Sequence, residues 1–89
     1  MQRSPSLVDL KNIGPQTAEW LPAVGIHTPQ DLAELGAVAA YTRLKTAFPQ
    51  QINLTALWAL QGALMDIPFN QLPEAVKDDL RRQLRENAT

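Results

Sequence analysis

The stretch from Lys11 to Thr17, Lys11-Asn12-Ile13-Gly14-Pro15-Gln16-Thr17, is where residue types and spacing carry a mechanism. Asn and Gly tolerate the left-handed backbone region better than other residues, so Asn12 and Gly14 suit a tight turn around the apolar Ile13. That reading predicts a buried Ile13, a positive φ at Gly14 and a helix opening at Pro15. The first amides of such a helix, at Gln16 and Thr17, have no intrahelical acceptor. Together with the helix dipole they form a site for an anion, for example one phosphate of a nucleic-acid backbone. Pro15 removes one donor from that set. Asn12 adds a side chain where close backbone approach is needed, and Gln16 supplies no charge. Lys11 and Arg3 are the cations nearby, offset by Asp9 and Glu19.

Other residues able to do chemistry are sparse. A single histidine, His27, and no cysteine exclude thiol catalysis, disulfides, Cys-ligated metal centres and a multi-His metal site. Asp78 and Asp79 are helix neighbours and point in different directions, which argues against paired-carboxylate chemistry. Arg81, Arg82 and Arg85 stand among Asp78, Asp79 and Glu86 and read as a solvated helix face. No Ser or Thr has a base at recognisable spacing. The expectation is a non-enzyme with no catalytic residue, no cofactor and no metal.

These residues must be positioned by a small fold. The chain has 89 residues, 45% of them apolar and 19% charged, with a formal charge of −1. That near-neutral balance lacks the positive charge on which non-specific nucleic-acid affinity depends. No apolar run approaches the ~18 residues of a membrane helix, and the expected location is cytoplasmic. Prolines and glycines punctuate a series of short helices. Ser6 opens the first, to about Lys11, and the second runs from Pro15 to about Ala23, with a kink or early end at Pro22. Thr28 caps the third, from Pro29 to about Leu35, and Gly36 precedes the fourth, to about Ala47. The fifth, from about Asn53 to Met65, is apolar almost all round and belongs in the middle of a bundle. Gly62 within it implies a close helix contact, as packing or an interface, and Trp20 and Trp58 read as core. The sixth, from Pro73 to about Glu86, carries Val76, Leu80 and Leu84 as a narrow apolar stripe. The predicted class is all-α, five to six short helices, with residues 1–5 a tail and 6–87 a single domain.

Two surfaces emerge. One is the hairpin, Lys11, Asn12, Ile13, Gly14, Gln16 and Thr17, as a candidate phosphate or DNA-backbone site. The other comprises Ile67, Phe69, Leu72 and Val76, where Phe69 would anchor a protein partner or a second copy, the chain being a monomer or a weak homodimer.

The hairpin resembles the helix-hairpin-helix motif, two short helices joined by a Gly-apolar-Gly turn, with Asn12 in place of the first Gly and Gln16 where DNA-binding examples often carry Lys or Arg. The likeness widens. Leu10 to Leu21, Val24-Gly25-Ile26-His27-Thr28 with Asp31-Leu32, Leu35 to Val38, Asn53-Leu54, Ala59 to Leu64 and Leu72-Pro73 together resemble the C-terminal domain of the TfoX (Sxy) competence regulators, over about residues 6 to 85. The resemblance implies a bundle related to helix-hairpin-helix and SAM-like folds. It also implies a place in bacterial transcription and competence regulation, where two-domain members carry a separate α/β domain that these residues do not match. The expected function is a non-catalytic module binding a protein partner. The alternative is sequence-independent binding of the DNA backbone through the hairpin.

Overall fold

A computed structural model of the chain describes residues 7–87. The expected tail over residues 1–5 and the expected Ser6 cap lie outside the described residues. Among those described the chain forms five α-helices and two 3-10 turns, with no strand. The helices are α1 (Pro15–Ala23), α2 (Pro29–Leu35), α3 (Ala37–Ala47), α4 (Leu54–Met65) and α5 (Glu74–Asn87). The turns are Leu7–Asp9 and Phe69–Gln71. This is the all-α architecture expected.

Capping chemistry places most boundaries. Thr28 Oγ1 accepts from the Asp31 amide at 3.0 Å, and the Asp31 carboxylate accepts from the His27 amide at 3.0 Å, so the entry to α2 is tied twice. Asn53 Oδ1 accepts from the Thr55 amide at 3.0 Å and starts α4 one residue later than expected. Gly36, at φ 88°, ends α2 and turns directly into α3. Pro22 brings no early end: it lies inside α1, which runs to the expected last residue. α1 stops at Ala23, and the Val24 and Ile26 amides both return to the Leu21 carbonyl, at 3.1 and 3.0 Å.

Two expected helix starts are corrected. The segment from Ser6 to Lys11 is no α-helix among its described residues. The Leu10 amide donates to the Leu7 carbonyl at 3.1 Å, the spacing of a 3-10 turn. Asn12 then reverses the chain at φ 71°, before enough residues accumulate to offset helix nucleation. The last helix begins at Glu74 rather than Pro73, whose carbonyl instead accepts from the Val76 and Lys77 amides, both at 3.1 Å.

The core lies where α4 meets its neighbours. Leu21, Ile26, Leu32, Leu44, Leu57 and Leu60 are fully buried, one or two from each of the first four helices and their links. α4 packs against α3 on one side and the Phe69–Gln71 turn on the other, as its nearly uniform apolar surface requires. α5 lies against α3 through buried Leu80, with Val76 and Leu84 half-buried beside it. Neither tryptophan is fully buried. Trp20 stacks on Phe48 at 5.6 Å, while Lys77 and Arg81 of α5 sit over the Trp58 ring at 5.7 and 5.2 Å. Trp58 therefore joins α4 to the flank of α5, where cations meet an aromatic face.

Candidate functional site

The hairpin forms, but its parts are assigned differently from expectation. Ile13 is buried and its amide donates to the Leu10 carbonyl at 3.2 Å. The left-handed residue is Asn12 alone, at φ 71°. Gly14 is corrected: its φ is −84° and ψ 178°, an extended conformation that any residue adopts. One left-handed residue suffices to reverse the chain, which leaves Gly14 as the N-cap of α1. There its carbonyl accepts from the Ala18 amide at 2.9 Å, and it offers no capping side chain.

A prediction follows at once. Nothing lies within 4 Å of the position a Cβ would take at Gly14. Gly14→Ser should therefore raise stability by a few tenths of a kcal/mol or about 1 kcal/mol at most, read as a higher melting temperature. A fall of several degrees would show instead that glycine is required in the turn.

Asn12 does not point toward a ligand. Its Nδ2 donates to the Ile67 carbonyl at 2.8 Å, with the Ala59 carbonyl at 3.5 Å, and its Oδ1 accepts from the Phe69 amide at 3.0 Å. The side-chain amide thus pairs with the main chain of a distant loop much as a second backbone would. Gly62 makes room for it. A Cβ there would stand 2.5 Å from Asn12 Nδ2 and 2.7 Å from the Ile67 carbonyl oxygen. The close approach at Gly62 is thus to a hairpin side chain and a loop carbonyl, not to a second helix.

The candidate phosphate set is divided by this arrangement. Ile13 belongs to the core and the Asn12 side chain is engaged in the interior. Lys11, Gly14 and Gln16 are exposed and Thr17 is half-buried. What remains for an anion is the main chain at the start of α1 and the charge of Lys11.

The second candidate surface is divided as well. Leu72 is buried and Val76 half-buried, so both help close the bundle, whereas Phe69 is 39% exposed and Ile67 half-buried. Met65, 40% exposed, is the last residue of α4 and stands on the other side of the following turn from Phe69 in sequence. The sequence reading missed Met65 because the apolar run of α4 gives no sign of which side chain overhangs its end. His27 is exposed in its turn, and no group of His, Cys, Asp or Glu among the described residues could hold a metal ion.

Comparison with known proteins supplies the relatives. A family model described as the TfoX C-terminal domain matches residues 3–84. The crystal structure of an uncharacterized protein from Listeria monocytogenes, in a triclinic form, is similar with a TM-score of 0.82 and 30% identity, covering 92% of each chain. A tetragonal-form structure of a protein of unknown function from the same organism matches with a TM-score of 0.80 and 30% identity, covering 93% of this chain and 100% of that one. A search of the curated proteins finds no match.

Proposed function

The chain belongs to the TfoX C-terminal domain family, and from that premise we propose that it is a non-catalytic module that binds a protein partner in bacterial transcription or competence regulation. The observation that carries this reading is the turn after α4, where Met65 and Phe69 stay exposed while Asn12 holds the main chain beneath them. Large apolar side chains displayed on a braced backbone suit the anchor of a protein interface. A cytoplasmic setting accords with the absence, among the described residues, of any helix long and apolar enough to cross a membrane. The absence of a recognisable nucleophile–base pair in the sequence supports a binding role over an enzymatic one.

The competing reading is backbone binding of DNA at the start of α1. A formal charge of −1 and the inward-facing Asn12 both count against it. Titrating a short duplex into the labelled protein at low salt tests the pair. The amide shifts of residues 12 to 14, 16 and 17 should stay unchanged. Shifts there that vanish as salt rises would replace the protein-partner reading with DNA-backbone binding.

A further inference from the structure

Four large apolar side chains are exposed among the described residues, Val8, Leu54, Met65 and Phe69, and two of them flank a single turn. Between those two, Asp66 ends α4 in the left-handed conformation, at φ 58°. α4 has no basic residue in its last turn, so the carboxylate adds to the negative end of the helix dipole. The carboxylate has no ion pair or hydrogen bond among the described residues, and Lys11 of the adjoining hairpin does not reach it. Folding alone favours Asn at this position, since Asn reaches the same conformation without the charge. The turn is also stiff. Asn12 holds the main chain at Ile67 and Phe69, Pro68 fixes its own φ, and Gly62 lets the loop lie flat on α4. A surface ordered in advance gives up little entropy when it binds.

We propose that the turn from Met65 to Phe69 docks a segment of a protein partner that sets a lysine or arginine beside an apolar side chain. The cation meets Asp66 and the carbonyl end of α4, and the apolar group lies on Met65 and Phe69. This inference rests on the reading of the chain as a protein-binding module and adds the chemistry of the partner. The charge complementarity is one-sided: the turn supplies an acid and two apolar groups, and lacks only the cation.

The full chain, labelled for NMR, is titrated with an amphipathic helical peptide of leucine and lysine, and separately with its twin carrying glutamate for lysine. The lysine peptide should shift residues 65 to 69, with affinity reduced ~tenfold or more by Phe69→Ala and by Asp66→Asn. Asp66→Asn should meanwhile raise the melting temperature, because it removes a charge the helix end disfavours. Stability and binding then move in opposite directions, which damage to the fold cannot produce. Equal binding of both peptides, an Asp66→Asn variant that binds as well as the parent, or shifts confined to other residues overturns the proposal. So do concentration-dependent shifts at the turn without peptide, which would make a second copy the occupant. A photo-crosslinker placed at residue 70, exposed beside the anchor, or at residue 46 on α3 separates the two readings in extract of the native host. Protein adducts from position 46 but none from 70 overturn this surface and retain the module. No protein adduct from either, nor from a scan of the remaining surface, overturns the module itself.

Discussion

Leu57→Ala is expected to lower the free energy of unfolding by ~2–5 kcal/mol. Leu57 is fully buried in α4, the helix that packs against both α3 and the Phe69–Gln71 turn. Truncation there loses the transfer free energy of the side chain and leaves a cavity that α3 and the turn can close only in part. A domain of this length has about 4–13 kcal/mol in total, so the substitution removes a large fraction of it. Urea denaturation measures the effect, and the midpoint should fall while the slope stays constant. A loss under about 1 kcal/mol would mean that the bundle collapses around the missing side chain and that α4 is not its centre.

The second large effect is expected at Gly62, and its sign runs against helix propensity. In an ordinary helix interior Gly→Ala stabilises by ~1 kcal/mol. At Gly62 the new methyl meets Asn12 Nδ2 at 2.5 Å and the Ile67 carbonyl oxygen at 2.7 Å. Gly62→Ala should therefore destabilise by ~1–3 kcal/mol, and Gly62→Val by more. The second obstacle is main chain, so the whole loop must lift. Lifting it breaks the Asn12 contacts and strands the polar groups they satisfied, at a cost of ~1–3 kcal/mol for each that stays buried. A double-mutant cycle with Asn12→Gly isolates the first obstacle. The Gly62→Ala penalty should shrink by ~0.5–3 kcal/mol once the asparagine is gone. Strict additivity of the two changes would show that Asn12 and Gly62 do not interact.

Local chemistry made much of the fold legible. Thr28-Pro29 with Asp31, the break at Gly36, the end of α1 at Ala23 and the unbroken apolar run of α4 each depend on residues within a turn of one another. Composition and spacing therefore suffice to place them. The hairpin shows where this ends. That the turn would form could be read from Asn12, Ile13 and Gly14, but the division of labour between Asn12 and Gly14 could not. Asn12 takes partners 55 and 57 positions away, and no local pattern announces them. Gly62 carried a trace of that contact, as a glycine where an apolar helix has no use for one. The Phe69 side chain was readable as a candidate anchor, while Met65 and Asp66 acquire their roles only from where α4 stops. Trp58 was read as core from its size and proves to sit under Lys77 and Arg81, cations whose side of α5 the narrow apolar stripe does not specify.

The Asn12 clasp also bears on how the native state is reached and left. Its hydrogen bonds join residues 55 and 57 positions apart, so making them closes most of the chain into a loop. The entropy of that closure has to be met before the contact returns anything, and α2, α3 and α4 can assemble largely from contacts nearer in sequence. Contacts of this kind are expected to form after the rate-limiting step, which the folding and unfolding rates of Asn12→Gly check. Weakening them leaves the speed of folding nearly unchanged and shortens the lifetime of the folded molecule. In this bundle one asparagine amide sets how long the folded state lasts while having little say in how fast it forms, and its whole contribution to stability is carried by the unfolding rate.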